Sequence, residues 1–201
     1  MRIHTEEQLR TLYNPPSEKA LRKELTRIDH HIERFISLSP FLVIASGNTQ
    51  YQMDASPRGG AAGFVKILDD RTLLIPDALG NNRLDSLLNI LGTGHAGLLF
   101  FVPGMNEMLR VNGKASLHTD AVLIQHFQDM QNQPRVVIKV AVESAYLHCA
   151  KAAMRSALWK KENHVDRSVL PTMGELLRAH TGLEGQPESQ EAMLKRYEKE
   201  L

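Results

Sequence analysis

The sequence contains a single cysteine, Cys149, among its 201 residues. One thiol cannot form a disulfide within a chain, so a cross-linked framework is excluded and a reducing compartment is expected. The longest apolar run, residues 96–103, is far too short to cross a bilayer, and residues 1–10 lack the apolar core of a signal peptide. We therefore expect a soluble cytoplasmic protein with no membrane partner.

The chain also has little net charge, with 24 basic residues against 23 acidic ones. No long-range field is available to attract nucleic acid, and no basic stripe stands out, so a nucleic-acid partner is not expected. The histidines show no metal-ligand spacing, and no metal is predicted. Sequence motifs of serine hydrolases, P-loop enzymes and Rossmann folds are missing as well. Any anion must therefore be held by a local cluster of Arg and Lys.

Helical patterns are present at both ends of the chain. Thr5 and Gln8 form a capping pattern, and an apolar stripe from Leu21 to Phe35 predicts a second helix over 17–37. Towards the C-terminus, helices are predicted over 149–159, over 173–180 behind a Thr172–Glu175 capping box, and over 189–201. Between the strands described next, shorter helices are predicted at 84–91 and at 120–130, the latter capped by Thr119.

The centre of the chain is dominated by short strand patterns. Connections of hairpin length between most of them favour an antiparallel sheet or barrel over a parallel one. We predict one domain over 1–201, mainly β with flanking helices, with N-terminal helices in 5–37 and a C-terminal helical segment in 149–201. The predicted strands are 41–46, 50–55, 63–68, 72–75, 95–102, 108–117 and 135–142.

Residues 75–85 are the most informative segment for function. A strand is followed by a loop containing glycine, and a helix is predicted to begin near Asn82. Unpaired N–H groups at a helix start, together with the Arg83 guanidinium, suit an anion. The alternative is that Asn81 or Asn82 only caps the helix while Arg83 faces solvent.

Residues 54–60 bring Ser56 and Arg58 next to two glycines, Gly59 and Gly60, which allow a close approach of backbone to a ligand. The alternative is an ordinary hairpin loop with a solvated arginine. In residues 107–115, strand alternation places Arg110 and Asn112 on one face. That face is either a ligand contact or a wet outer surface.

Residues 149–159 form a fourth candidate segment. Lys151, Arg155 and Trp159 are four residues apart, so a helix would present two cations and an aromatic ring on one face. Such a face suits a planar ligand or a phosphate across a dimer interface. Alternatively, Trp159 anchors the core and the cations are solvated.

Together and in this order, the segments resemble the pyridoxamine 5'-phosphate oxidase-like, FMN-binding split-barrel family. The resemblance covers about residues 35–159 at family level and most of the chain at the level of a bacterial subgroup, which carries the Lys-Ala-x-Met-Arg-Ser-x-Leu-Trp stretch of 151–159. The family-level motifs are Ser-Pro-Arg-Gly (56–59), Leu-Leu-Ile-Pro-Asp (73–77), Gly-Asn-Asn-Arg-Leu-Asp-Ser-Leu (80–87), Gly-Leu-Leu-Phe (97–100) and Leu-Arg-Val-Asn-Gly-Lys-Ala (109–115).

The resemblance implies an antiparallel split barrel and a homodimer with two FMN molecules at the subunit interface. Residues 56–59 and 81–83 would hold the phosphate and ribityl chain, residues 75–77 would lie near the isoalloxazine, and Arg110 near the ring or phosphate, where it would stabilise the reduced flavin. Residues from 154–159 would come from the second subunit. The implied cofactor-binding residues are Ser56, Pro57, Arg58, Gly59, Ile75, Pro76, Asp77, Asn81, Asn82, Arg83, Arg110, Met154, Arg155 and Trp159.

One departure limits what the resemblance implies. True pyridoxamine phosphate oxidases carry a C-terminal Arg-Leu-His signature that grips the substrate, whereas residues 176–180 here are Leu-Leu-Arg-Ala-His. Substrate residues are therefore not carried over, and no general acid or base is assigned. The implied function is an FMN-dependent oxidoreductase acting on a small molecule. The alternatives are a non-catalytic FMN-binding or redox-sensing protein, and a split-barrel relative that uses deazaflavin or haem.

Overall fold

A computed structural model describes residues 1–77 and 80–199. Its seven strands form one sheet in the order β2-β1-β5-β6-β7-β4-β3, and every neighbouring pair is antiparallel. The fold is an antiparallel split barrel with flanking helices, as predicted. The strands are β1 (Phe41–Gly47), β2 (Met53–Gly59), β3 (Lys66–Asp69), β4 (Thr72–Asp77), β5 (His95–Phe101), β6 (Met108–His118) and β7 (Val136–His148).

The barrel closes around an apolar core. Along β1 and β6, alternate residues such as Leu42, Ile44, Leu109 and Val111 are fully buried, while the residues between them face outward. Strand β4 is buried on both faces, because Leu74 packs with Phe127 in a second, smaller cluster. Strands β2 and β4 belong to opposite ends of the sheet order, yet Arg58 and Asp77 form an ion pair of 3.5 Å. The two ends of the sheet therefore face each other across a gap.

Helices cover the barrel and form both terminal segments. None of those in the described residues is long and apolar enough to cross a membrane. Short 3-10 turns lie at Gln125–Phe127, Lys161–Asn163 and Arg167–Val169. The α-helices are α1 (Glu6–Arg10), α2 (Glu18–Arg22), α3 (His30–Leu38), α4 (Asp85–Thr93), α5 (Ala121–Ile124), α6 (Lys151–Ser156), α7 (Met173–Thr181) and α8 (Gln190–Tyr197).

The predicted helix over 17–37 is wrong, since α2 and α3 are separate. Between them, Leu25 exchanges two backbone hydrogen bonds with Ala145 of β7, at 3.0 and 2.8 Å. This pairing with a distant strand overrides the local helical pattern. Asp29 then caps α3 by accepting hydrogen bonds from the amides of residues 31 and 32.

Three strand predictions differ from the structure by three or more residues at one or both ends. Strand β3 runs over 66–69 rather than 63–68, because the Phe64 amide donates to the Ala61 carbonyl and closes a turn before it. Strand β2 runs over 53–59 rather than 50–55, because the Asn48 side chain accepts the amides of Gln50 and Gln52 and holds a turn there. Strand β7 extends six residues beyond the predicted end at Val142, because β6 pairs with it as far as His148.

Several predicted helices are shorter in the structure. The one over 120–130 ends at Ile124 and continues as a 3-10 turn, and Asp120, not Thr119, is its N-cap. The helix predicted over 149–159 spans only 151–156, because Ala157 adopts a left-handed conformation (φ 47°), so Trp159 does not share a helical face with the two cations. The predicted capping box opens α7. Helix α8 ends at Tyr197, and residues 200–201 of that prediction lie outside the described residues.

Candidate functional site: a cavity in the barrel split

A cavity of about 650 Å³ opens in the gap between β2 and the end of β4. Its volume lies within the roughly 300–1,000 Å³ usual for small-molecule sites. Its wall consists of parts of β2, β4 and α4 with the segments that precede α4 and β7. The lining residues are Ser56, Pro57, Arg58, Gly59, Pro76, Asp77, Gly80, Asn81, Asn82, Arg83, Leu84, Asp85, Ser86, Leu87, Gln133, Arg135 and Val136.

A carboxylate fixes the polarity of the cavity wall between β2 and α4. Asp54 accepts hydrogen bonds from the hydroxyls of Ser56 (2.9 Å) and Ser86 (2.8 Å), and Ser86 is almost fully buried. A hydroxyl carries one hydrogen, so both serines give theirs to Asp54 and retain only acceptor lone pairs. This part of the cavity therefore suits a ligand that carries hydroxyl groups.

The same wall contains a local ion pair. Arg83 Nε donates to Asp85 Oδ2 at 2.8 Å, and Nη2 lies 3.4 Å from Oδ1. Hydrogen bonding to Arg83 lowers the pKa of the Asp85 carboxyl, and the same contact raises the pKa of Arg83. The pair is largely exposed to solvent.

Helix α4 does not begin near Asn82 as predicted. It begins three residues later at Asp85, after Asn82 and Leu84 have both adopted left-handed conformations (φ 59° and 61°). Neither Asn81 nor Asn82 caps the helix; Asn81 instead accepts a hydrogen bond from the Arg83 amide. The Asp85 carboxylate already supplies a negative charge in the first turn, which is where such a charge stabilises a helix.

On the opposite side, Arg58 of β2 and Asp77 of β4 connect the two ends of the sheet. Their side chains are only 20% and 19% exposed. Burial raises the pKa of the Asp77 carboxyl, and the charge of Arg58 opposes that shift. Arg58 Nε is buried and has no hydrogen-bond partner among the described residues. An unpaired buried donor is costly, so this atom is suited to an acceptor group on a ligand.

Sequence reasoning missed Gln133 and Arg135, which also line the cavity. They precede β7, whose first residue, Val136, pairs with Asp77. Arg135 forms no ion pair within the described residues. The available signal was an arginine directly before the β-branched run of β7, but it became informative only once β7 was known to pair with β4.

The structure brings nine of the predicted cofactor-binding residues together around this cavity: Ser56, Pro57, Arg58, Gly59, Pro76, Asp77, Asn81, Asn82 and Arg83. The Ile75 side chain is fully buried in the core behind it. Arg110 lies on the outer face of the sheet, where it donates to the Tyr146 hydroxyl.

The predicted residues of the α6 region do not reach the cavity of their own chain. Met154 is exposed, Arg155 donates to the Lys151 carbonyl, and Trp159 donates its indole N–H to the Met105 carbonyl at 2.7 Å. Trp159 is partly buried and is not a core anchor. A contribution of these residues through a second subunit stays a prediction.

The fold is a split barrel, and its cavity has the size of a small-molecule site. The family model for pyridoxamine 5'-phosphate oxidase matches residues 28–149, more than half of the chain, and the chain belongs to this family. No curated protein matches the sequence.

Three solved structures illustrate the likeness. A single-residue variant of HupZ from Group A Streptococcus is 18% identical, with a TM-score of 0.51, and the match covers 60% of this chain and 99% of that chain. An FMN-binding protein from Syntrophomonas wolfei is 10% identical (TM-score 0.45; 58% and 85% covered). The haem storage protein HutZ from Vibrio cholerae is 10% identical (TM-score 0.44; 61% and 94% covered). At these identities, the HupZ match shows a shared fold alone.

Proposed function

We propose that this protein is an FMN-dependent oxidoreductase that acts as a homodimer on a small-molecule substrate. One observation carries the proposal: nine residues that the family resemblance implies for FMN surround a single cavity of about 650 Å³. They come from three separate parts of the sequence and meet only because the sheet curls until β2 faces β4.

The chemistry of the cavity wall fits FMN. The serine oxygens held by Asp54 suit the hydroxyls of the ribityl chain. Three guanidinium groups line the cavity, and two of them are paired with the lining carboxylates Asp77 and Asp85, which leaves Arg135 as the lining cation without an ion-pair partner among the described residues. Arg58 Nε, which has no partner in the described chain, and the Arg135 guanidinium are the first donors expected to hold a phosphate.

The donor set favours a flavin over haem. Haem iron is held by His, Cys, Met or Tyr side chains. None of these residue types occurs among the described residues that line the cavity. A haem-binding function at this site would therefore lack an axial ligand from the same chain.

When bound, FMN supplies the redox chemistry, and the protein supplies binding, orientation and electrostatics. Pro76 and Asp77 end β4 at the cavity wall and would position the ring. Burial raises the pKa of the Asp77 carboxyl, which lines the cavity. Asp77 is therefore the lining group best suited to hold a proton there.

A homodimer is supported by the outer face of the sheet. Cross-strand neighbours there are apolar yet accessible: Met53 is 75% exposed and Phe41 is 40% exposed, with Phe41 packed edge-on against Phe101. A second copy would cover this surface. The outer-face residues are Phe41, Val43, Ala45, Met53, Ala55, Pro57, Leu99 and Phe101.

A second candidate is a non-catalytic FMN-binding or redox-sensing protein. It is favoured because both lining carboxylates are paired with arginine, and no His, Lys, Tyr or Cys lines the cavity among the described residues.

We also propose a cytoplasmic location, because the single cysteine, Cys149, is exposed and free.

The first experiment is a visible spectrum of the purified protein, followed by heat release and chromatography of the chromophore. We expect FMN in a ratio of about one per chain, as one such cavity in each chain implies. Arg58→Ala and Arg83→Ala should remain folded and lose the flavin, whereas the control Arg10→Ala, in an exposed pair on α1, should keep it. A colourless wild-type protein that does not take up added FMN contradicts the proposal.

Two further measurements separate the remaining parts of the proposal. Turnover of an acceptor with a nicotinamide donor supports the enzyme, while tight FMN binding without turnover on any donor supports the binder. Light scattering should give a dimer that Met53→Asp weakens, while Leu91→Asp, similarly exposed on α4, should leave it intact. A monomeric wild-type protein contradicts the homodimer.

A further inference from the structure

A triad of Ser116, His118 and Asp120 is joined by hydrogen bonds at the end of β6. The Ser116 hydroxyl oxygen lies 2.9 Å from His118 Nε2, and His118 Nδ1 lies 3.1 Å from Asp120 Oδ2. Alternate residues of a strand point to the same face, so Ser116 and His118 share one face of β6. Asp120 follows the strand and precedes α5. The imidazole therefore lies between a hydroxyl and a carboxylate, and contacts each through a different nitrogen.

The triad lies apart from the cavity and from the surface assigned to the proposed homodimer. None of its three residues is among the described residues that line the cavity. Strand β5 pairs with β6 only as far as His95 with Lys114, so Ser116 lies beyond the end of that pairing. The residues assigned to the homodimer belong to β1, β2 and β5. Ser116 is exposed, and the side chains of His118 and Asp120 are 29% and 65% exposed, so solvent reaches the triad.

Helix capping does not explain the position of Asp120. Aspartate is a preferred N-cap residue because its carboxylate accepts the free amides of the first helical turn. Asp120 is the N-cap residue of α5, yet its side chain makes no capping hydrogen bond. The carboxylate contacts the His118 ring instead. The interaction that the structure gives to Asp120 is thus with the imidazole.

The hydrogen bonds assign a role to each group. A carboxylate only accepts, so His118 Nδ1 carries the ring hydrogen, and Nε2 of the neutral ring accepts the hydroxyl hydrogen of Ser116. A serine, a base and a carboxylate that orients the base form the same arrangement on unrelated folds, where geometry identifies it and sequence motifs do not. The strand register places Lys114 and Lys139 on the same face, two residues before Ser116 and opposite it. Positive charge beside the serine favours an oxyanion.

We propose that Ser116 is a nucleophile that hydrolyses carboxylic esters of small acids, with His118 as its base and Asp120 as the residue that positions the imidazole. Ser116 Oγ attacks the carbonyl carbon as its proton passes to His118 Nε2, and the alcohol leaves with that proton. Water then attacks the acyl-serine and gives a proton to His118, which returns it to Ser116 Oγ as the acid is released. The reaction consumes one water and needs no cofactor, so it does not rest on the proposed function.

The test treats the purified full-length protein with a fluorophosphonate probe, followed by peptide mass spectrometry, and separately with p-nitrophenyl acetate. We expect the probe on Ser116 of the wild type and no label on Ser116→Ala. His118→Gln should slow labelling about a hundredfold and Asp120→Asn about tenfold. The matched control is Ser168→Ala, because Ser168 is exposed and donates to Asp166 with no imidazole between them. This control should be labelled at the wild-type rate.

Three results would overturn the proposal. The first is a wild-type protein that is not labelled on Ser116. The second is hydrolysis of p-nitrophenyl acetate by Ser116→Ala at the wild-type rate. The third is equal labelling of the wild type and His118→Gln, which would show that the imidazole does not activate the serine.

The positioning role of Asp120 has a readout of its own. Nitrogen NMR of the His118 ring should show the hydrogen on Nδ1 in the wild type and a mixture of both tautomers in Asp120→Asn. Asp120→Glu keeps the carboxylate and should retain more of the labelling rate than Asp120→Asn. If Asp120→Asn changes neither the tautomer nor the labelling rate, Asp120 does not position the ring.

Discussion

The two ion pairs that line the cavity consist of the same residue types and behave in opposite ways. Arg83 and Asp85 are two residues apart, exposed, and joined at 2.8 Å. Arg58 and Asp77 come from opposite ends of the sheet, are about four-fifths buried, and are 3.5 Å apart. In the first pair, the hydrogen bond from Arg83 lowers the pKa of Asp85. In the second pair, burial raises the pKa of Asp77. The local pair shapes a turn, and the long-range pair spans the gap that forms the site.

The largest effect is expected from Arg58→Ala. It leaves the Asp77 carboxylate buried without its cation, and should lower the free energy of unfolding by about 1–3 kcal/mol in urea denaturation. Arg83→Ala breaks an exposed pair and should not measurably move the denaturation midpoint. Equal losses in the two variants would show that closure of the gap does not depend on the buried pair.

The double variant Arg58→Ala/Asp77→Ala sharpens the comparison. Removing the carboxylate as well takes away the uncompensated charge, so we expect the double variant to regain about 1 kcal/mol relative to Arg58→Ala alone. The same denaturation series measures it. If the double variant is the less stable one, Asp77 stabilises the fold through contacts other than the arginine.

The pH dependence should differ in sign between the two aspartates. The folded pKa of Asp77 is raised, so its contribution to stability is present at low pH and is lost as the pH rises through that pKa. The folded pKa of Asp85 is lowered, so its contribution is present above the unfolded pKa and is lost as the pH falls through the folded value.

Carbon-detected NMR titration of the carboxyl groups measures both values directly. Asp77 should titrate above its ordinary value of 3.8 and Asp85 below it. Arg58→Ala should raise the pKa of Asp77 further, and Arg83→Ala should return that of Asp85 towards 3.8. Two aspartates with the same pKa would remove the contrast between the pairs.

The smallest effect concerns the turn that carries the local pair. Leu84 is 47% exposed and adopts a left-handed conformation (φ 61°), which costs a branched side chain about 1 kcal/mol. Leu84→Gly relieves that strain but adds freedom to the unfolded chain, so we expect a change in unfolding free energy of less than about 1 kcal/mol. The exposed Leu88→Gly in the interior of α4 is the matched control, and it should destabilise.

The bounds of strands and helices were predicted most accurately where the local sequence pattern and the tertiary packing favour the same structure. The observed bounds of β1, β5 and β6 lie within one residue of the predicted ones, because alternating apolar residues there fill a real core face. The helix predicted over 17–37 failed because Leu25 pairs with β7, and no local pattern reports a partner so far along the chain.

The candidate site also contains residues that local motifs predicted and residues that only tertiary contacts bring in. Residues 56–59 and 81–83 were identified through family motifs, and the structure places them around one cavity. Gln133 and Arg135 belong to no motif and lie at the cavity only because β7 pairs with β4. The roles of Asp54 and Ser86 depend on hydrogen bonds between β2 and α4, which spacing alone does not predict.

The strand order determines the stage of folding at which the cavity forms. Strand β4 has only two neighbours, β3 and β7, and β7 is the last strand of the sheet to be synthesised. On the ribosome, the hairpin of β3 and β4 must wait for residues 136–148 before it can join the sheet, and such distant pairings form slowly. A nascent chain with six of its seven strands therefore has one wall of the cavity but not the other, so a ligand that needs both walls can bind only at the final stage of folding.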